Sequence, residues 1–334
     1  MKRNLKKMIS YYKPYLGVFF ADMFFAIMSA LIALIIPLVV RYVTSAVIFM
    51  PGDEAVRQIA VIGAVMTVLV AFQCYCNYFI SNYGHVCGAR MEYDMRAEIF
   101  DHYQKLSFTF YDDQKIGQLM SRITSDLFDI TELLHHGPEN IVISVIKIAG
   151  AFVILSLISP YLTIAAFALV PVMLVYAVFF NRRMKRAFKQ NRVKIADINA
   201  RIEDNLSGIR VVKSFANEAV ENEKFKEGND GFLSAKRNSY KYMGGYQAGL
   251  TAFTAMINVC VIVTGGILIT KNVISVTDLV TFLLYINIFT DPIKTLVDFT
   301  EQFQNGYTGF ERFMEILDIE PDIKDAPDAK ELKN

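Results

Sequence analysis

Apolar residues in this chain run in blocks; they neither alternate nor recur as a narrow stripe. Tyr15 to Met50, Val56 to about Ile80, Ile141 to Ile158, Leu162 to Phe180, Tyr246 to Ile269 and the stretch from Val276 onward are each predominantly apolar. About 20 such residues suffice for one helical crossing of a bilayer. The pattern therefore predicts an all-α membrane protein with six transmembrane helices. Ser159-Pro160-Tyr161 divides one long apolar region into two spans, because proline interrupts the helix at a tight turn. Met50 to Glu54 and Lys271-Asn272 supply two further short turns.

Between the blocks lie polar stretches that still favour helix. GARMEYDMRAEIFDHYQKLS follows the second block without a break, so one helix is expected from Val56 to Leu106, roughly 75 Å at about 1.5 Å per residue. That length is more than twice a hydrocarbon core of about 30 Å, so the helices are expected to continue into water as packed hairpins. The hairpins are placed at about 81–140 and 181–245. In the first, Thr109 and Asp112 suit a capped helix start and Gly117 a chain reversal. Short helices are expected near Phe110 to Lys115 and Ser214 to Val220. At the N-terminus, Leu5, Met8, Ile9 and Tyr12 share one helical face with Lys2, Lys6 and Lys13 largely opposite, which suits an amphipathic helix over 1–14. A signal peptide is the alternative, but the apolar run that follows is far longer than a signal core and has no cleavage pattern.

Composition agrees with the pattern: 54% of the 334 residues are apolar and 20% charged, with mean hydropathy +0.33. Net charge is only +1, so nothing in the total argues for nucleic acid. The distribution is more telling. Lys and Arg concentrate at the N-terminus, in 90–122, in 181–213 (seven in the fourteen residues NRRMKRAFKQNRVK) and in the last segment. The intervening turns hold little beyond Arg57 and Lys271. The positive-inside rule then puts both termini and both hairpins in the cytoplasm. No span repeats Arg or Lys at every third position, against a voltage sensor. Cys74, Cys76, Cys87 and Cys260 form no disulfide framework. Neither Cys74-x-Cys76 nor His135-His136 has the spacing of a closed zinc site, so no metal is expected. No Ser/His/Asp or Cys/His set converges at interpretable spacing.

Three stretches carry a family resemblance. Arg201 to Phe225, RIEDNLSGIRVVKSFANEAVENEKF, with Glu203, Gly208 to Lys213, Phe215 and Glu218 in register, resembles the second coupling helix of ATP-binding-cassette (ABC) exporters. Ser107 to Asp129, with Phe110-Tyr111-Asp112, Gly117, Ser121-Arg122 and Asp126, resembles their first. Asp291 to Asp318 resembles the end of their last span. The resemblance covers about residues 1–320 and implies an elbow helix (1–14), a six-helix exporter transmembrane domain (15–318) and a linker (319–334) towards a nucleotide-binding domain. It implies that Tyr111, Asp112, Asp113, Ser214, Phe215, Ala216, Asn217 and Glu218 couple to that domain, and that ATP and Mg2+ bind there. No phosphate loop G-x-x-x-x-G-K-[ST] occurs in these residues, so neither ATPase chemistry nor a catalytic residue is expected in them. The partners implied are a nucleotide-binding domain, a second transmembrane domain (the same or a similar chain) and the bilayer of the cytoplasmic membrane. A six-helix channel or sensor without an ATPase is the alternative; the long hairpins favour a remotely driven transporter.

Polar residues inside the spans are candidates for the substrate path. Gln73 with Asn77, and Thr254 with Asn258, lie one turn apart, and Asn287 stands alone. Hydrogen bonding between helices is the simpler account of all of them. Lys147 and Asp291 lie twelve and fifteen residues from the outer turns, about 18 and 22 Å deep. Opposite charges at similar depth suggest a direct or water-linked pair, with the alternative that Asp291 turns towards Lys294.

Overall fold

A computed structural model describes residues 2–322. Met1 and 323–334, which include most of the expected linker, lie outside the described residues. The described chain consists of helices and short connections: α1 (Lys2–Ser10), α2 (Leu16–Ser45), α3 (Gly52–Tyr103), α4 (Phe108–Asp112), α5 (Ile116–Ile158), α6 (Pro160–Ser207), α7 (Ile209–Ser214), α8 (Glu218–Thr270) and α9 (Val276–Leu317). Six of these are long and apolar enough to cross a membrane, the first counted from Arg3 to Phe49. α3, with 52 residues, spans roughly 78 Å, and α8, with 53, about 80 Å. The helices therefore overshoot a bilayer as their unbroken polar continuations predict.

The chain divides into two compact units. Among the described residues, the first contains those up to Ile154 and those from Asp291 onward. Its water-side core joins the lower part of α3 (Met91, Met95, Ile99, Tyr103), the start of α5 (Leu127, Ile130, Leu134) and the end of α9 (Phe310, Phe313, Met314). Two glycines bring α9 against α5. A Cβ on Gly306 would meet the Asp129 carbonyl oxygen at 2.6 Å, and one on Gly309 the Asp126 carbonyl oxygen at 3.0 Å. Beside them Arg312 grips Asp126 with both arms, Nε donating to Oδ2 at 2.8 Å and Nη2 to Oδ1 at 2.6 Å.

The N-terminal segment is anchored more firmly than an interfacial float. Met8 and Tyr12 pack on the water-side core, leaving Leu5 and Ile9 exposed. Lys7 pairs with Glu98 at 2.6 Å, and the Tyr15 hydroxyl donates to Asp94 at 2.8 Å. The expected single apolar face is thus divided between protein and surroundings.

The second unit, 155–290, is built on the α6–α8 hairpin. Ser159 is extended, and its hydroxyl accepts from the Leu162 amide, capping α6 after the proline turn. Higher up, Tyr176 lies over Gly249 and donates to the Gly245 carbonyl at 2.7 Å. Towards the tip, Arg201 donates to the Lys224 carbonyl at 2.7 Å and Asn205 to Glu221 at 3.2 Å. α8 ends with Asn272 at φ 55°, where the Asn272 and Val273 amides donate to Ile269 and Leu268 carbonyls. This left-handed finish satisfies carbonyls that the helix leaves open.

Candidate functional site

The two turns that join the long helices at their polar ends differ in construction from the expected ones. In the first unit α4 occupies Phe108–Asp112, opened by extended Ser107. Thr109 lies inside this helix and does not cap it. Gly117 is within α5, without a left-handed backbone, and the reversal falls at 113–115. Tyr111 folds back, its hydroxyl donating to the Tyr103 carbonyl at 2.5 Å, and packs with Phe110 on the core. Asp112 and Asp113 are exposed. Phe108, which the sequence reading passed over, is 90% exposed. An aromatic residue next to Ser107 at the mouth of a short helix is the feature that marks it.

In the second unit the short helix is α7, Ile209–Ser214; the residues from Glu218 already belong to α8. The shift from the expected Ser214–Val220 has a local cause. Ala216 adopts φ 50°, the Asn217 amide donates to the Val212 carbonyl at 3.0 Å and the Ala216 amide to Lys213 at 3.3 Å. That is a Schellman finish, which ends α7 at Ser214 and lets α8 start afresh. Phe215 stands at this finish, 79% exposed, with Ser214, Ala216 and Asn217 also exposed. Glu218 closes the turn by accepting from Lys213 at 3.0 Å. Its carboxyl is held below the usual carboxylate range by the backbone amide at the helix start and then by Lys213. A groove of about 1130 Å³ opens between the hairpin arms, lined in part by Arg201, Asn205, Ile209, Glu221 and Phe225.

Within the spans, Ser29 donates to Asn77 at 2.8 Å and Gln73 to the Ser29 carbonyl at 3.3 Å, joining α2 to α3. Thr254 and Asn258 instead bond backbone carbonyls one turn earlier in α8, and Asn287 is exposed. Asp291, 64% exposed at its side chain, pairs with Lys294 at 3.1 Å. Lys147 is half-buried, and no ion pair between it and Asp291 forms among the described residues. The direct Lys147–Asp291 contact is therefore not what the structure places here: an i,i+3 partner on the same helix reaches Asp291 first.

One cluster was not anticipated. His85 of α3 lies with His135 and His136 of α5, ring centroids 4.5–5.0 Å apart, close to buried Asp22 of α2 and Glu139. Helical phase, which sequence spacing alone does not display across three helices, brings them together.

The ABC transporter transmembrane region family matches residues 19–293. An uncharacterized ABC transporter ATP-binding protein of Bacillus subtilis, YwjA, is 38% identical over 98% of this chain and 56% of its own length. A putative multidrug export ATP-binding/permease protein of the same organism, YgaD, is 23% identical over 97% of this chain and 57% of its own. One from Staphylococcus aureus is 25% identical over 98% and 58%. The chain thus spans about half the length of the curated relatives it matches. Six long apolar helices, hairpins that overshoot a bilayer and this match together establish that the chain belongs to the ABC transporter transmembrane region family.

Proposed function

We propose that this chain forms the membrane-spanning half of an ATP-driven exporter and passes force from a nucleotide-binding domain to the substrate path through its two helical tips. The supporting observation is Phe215, left 79% exposed in a polar turn at the far end of an 80 Å helix. A large aromatic side chain there gains nothing until another surface covers it, and buried aromatic anchors dominate many interfaces. Phe108 supplies the equivalent group on the other tip. ATP and Mg2+ bind the partner domain; closure of two such domains moves the long helices, and the cavity between two membrane halves turns from inward-facing to outward-facing. The chain works in the cytoplasmic membrane, with both tips and both termini in the cytoplasm, as a homodimer or with a similar partner.

The test uses the complete transporter in vesicles. Phe215→Ala is expected to keep its thermal stability and hydrolyse ATP while ATP-driven uptake of a lipophilic dye into inside-out vesicles falls at least about tenfold, in line with loss of an interface hot spot. Normal dye uptake per ATP hydrolysed would overturn the assignment.

A further inference from the structure

Asp22, His135 and Glu139 are 2%, 7% and 9% exposed, and Asp22 Oδ1, His135 Nε2 and Glu139 Oε2 have no hydrogen-bond partner. Three buried, unsatisfied polar atoms at one place on two helices, α2 and α5, are costly in a protein interior unless something binds them. Their arrangement says what. Glu139 Oε2 lies 3.8 Å from His135 Nε2 and 3.4 Å from His136 Nδ1. The other nitrogen of each ring faces an outer carboxylate, His135 Nδ1 at 4.0 Å from Asp22 Oδ2 and His136 Nε2 at 3.6 Å from Glu132 Oε2. Ring nitrogens of His85, His135 and His136 all come within 4.8 Å of one another. Bonds of about 2.0–2.2 Å from a tetrahedral ion put its ligand atoms about 3.4 Å apart. The inner atoms already approach that spacing, and the outer carboxylates stand where metal-bound histidines commonly donate their second N–H.

We infer that His85, His135, His136 and Glu139 bind a divalent transition-metal ion, Zn2+ in the first instance, with Asp22 and Glu132 orienting the two α5 histidines. The backbone is shaped for it. α3 makes a π-helical turn at Ile80–Gly84, immediately before His85. Gly84 has no side chain where a Cβ would come within 2.4 Å of His135 Cε1 and 2.8 Å of Asp22 Oδ1. Glu132 is held in turn by Gln302 of α9, which donates to its backbone carbonyl at 3.1 Å. Imidazole and carboxylate donors without thiolate suit Zn2+, and equally admit Mn2+, Fe2+, Co2+ or Ni2+. Asp22 and His135 each lie 23 residues from the outer ends of their helices at Ser45 and Ile158, roughly 35 Å down. That depth is the edge of the hydrocarbon core, where an ion bridging α3 and α5 would pin their water-side continuations together.

The experiment uses tag-free full-length protein in detergent, stripped with chelator and titrated with Zn2+ or Co2+. Expected are about one equivalent of Zn2+ bound per chain, the visible bands of tetrahedral Co2+, and a higher melting temperature with Zn2+ that chelator reverses. His136→Gln and Glu139→Gln should abolish the Co2+ bands. Asp22→Asn and Glu132→Gln, which touch only the orienting groups, should weaken Zn2+ about tenfold or more. Size-exclusion profiles identify any variant that fails to fold, and the remaining ones decide the matter. Folded wild-type protein without stoichiometric metal, or metal binding unchanged in folded His136→Gln and Glu139→Gln proteins, would overturn the site.

Discussion

Ala216 occupies a backbone conformation that favours glycine, and it does so at the tip proposed to meet the ATPase. A left-handed L-residue costs roughly 1–2 kcal/mol, so Ala216→Gly should stabilise the turn by about 1 kcal/mol, less the greater chain entropy of glycine. A raised melting temperature checks this; a lowered one would mean that the entropy outweighs the relief of strain. Asp126 is a second single-residue case. Its buried carboxylate takes both arms of Arg312, so Asp126→Asn should cost about 1.5–3 kcal/mol in thermal unfolding, as expected for hydrogen bonds to a charged group. At this scale the sequence was only partly legible. Phe215 could be read from composition, since an aromatic in a polar run stands out. Phe108 could not be separated from Phe110 and Tyr111, because only packing decides which ring of three turns outward. A direct Lys147–Asp291 ion pair does not form among the described residues for a related reason: depth places two charges at one level but does not show that Lys294, one turn along the same helix, takes the Asp291 carboxylate.

Helices were the most legible elements. Apolar blocks predicted the spans, and the lack of any break after Ile80 predicted how far α3 runs. Short tip helices were harder, because α7 ends through backbone bonds that an alanine, unlike a glycine, does not announce. Close approach between helices was equally hidden. Gly249 leaves room for the Tyr176 ring, whose atoms a Cβ would meet at 2.1–2.3 Å. Gly249→Ala should therefore destabilise the α6–α8 hairpin by about 1–3 kcal/mol, the usual cost of overpacking. Combining it with Tyr176→Ala should recover part of that loss in a double-mutant cycle. Gly306→Ala should admit no such rescue, because its Cβ would strike the Asp129 backbone oxygen. A Gly249 variant with unchanged melting would show that the ring moves aside freely.

For the molecule as a whole, topology is the testable claim. In a cysteine-free background, Asp113→Cys should react with an impermeant maleimide only from the cytoplasmic face and Lys271→Cys only from the opposite one. Labelling of both from one side would break the six-span reading. The expected orientation rests on the segregation of Lys and Arg along the chain; the histidine cluster gave no such signal, because it joins His85 to His135 and His136 across separate helices. The π-helical turns at Ile80–Gly84 of α3 and Arg122–Asp126 of α5 carry a further consequence, one for heredity. Each such turn holds one residue more than the regular helix around it. In a regular helix one added residue would rotate everything downstream by about 100°. The widened turn takes the extra residue in, so Met91, Met95 and Ile99 stay on the core they fill, and a lineage could gain or lose that one codon while keeping the face beyond.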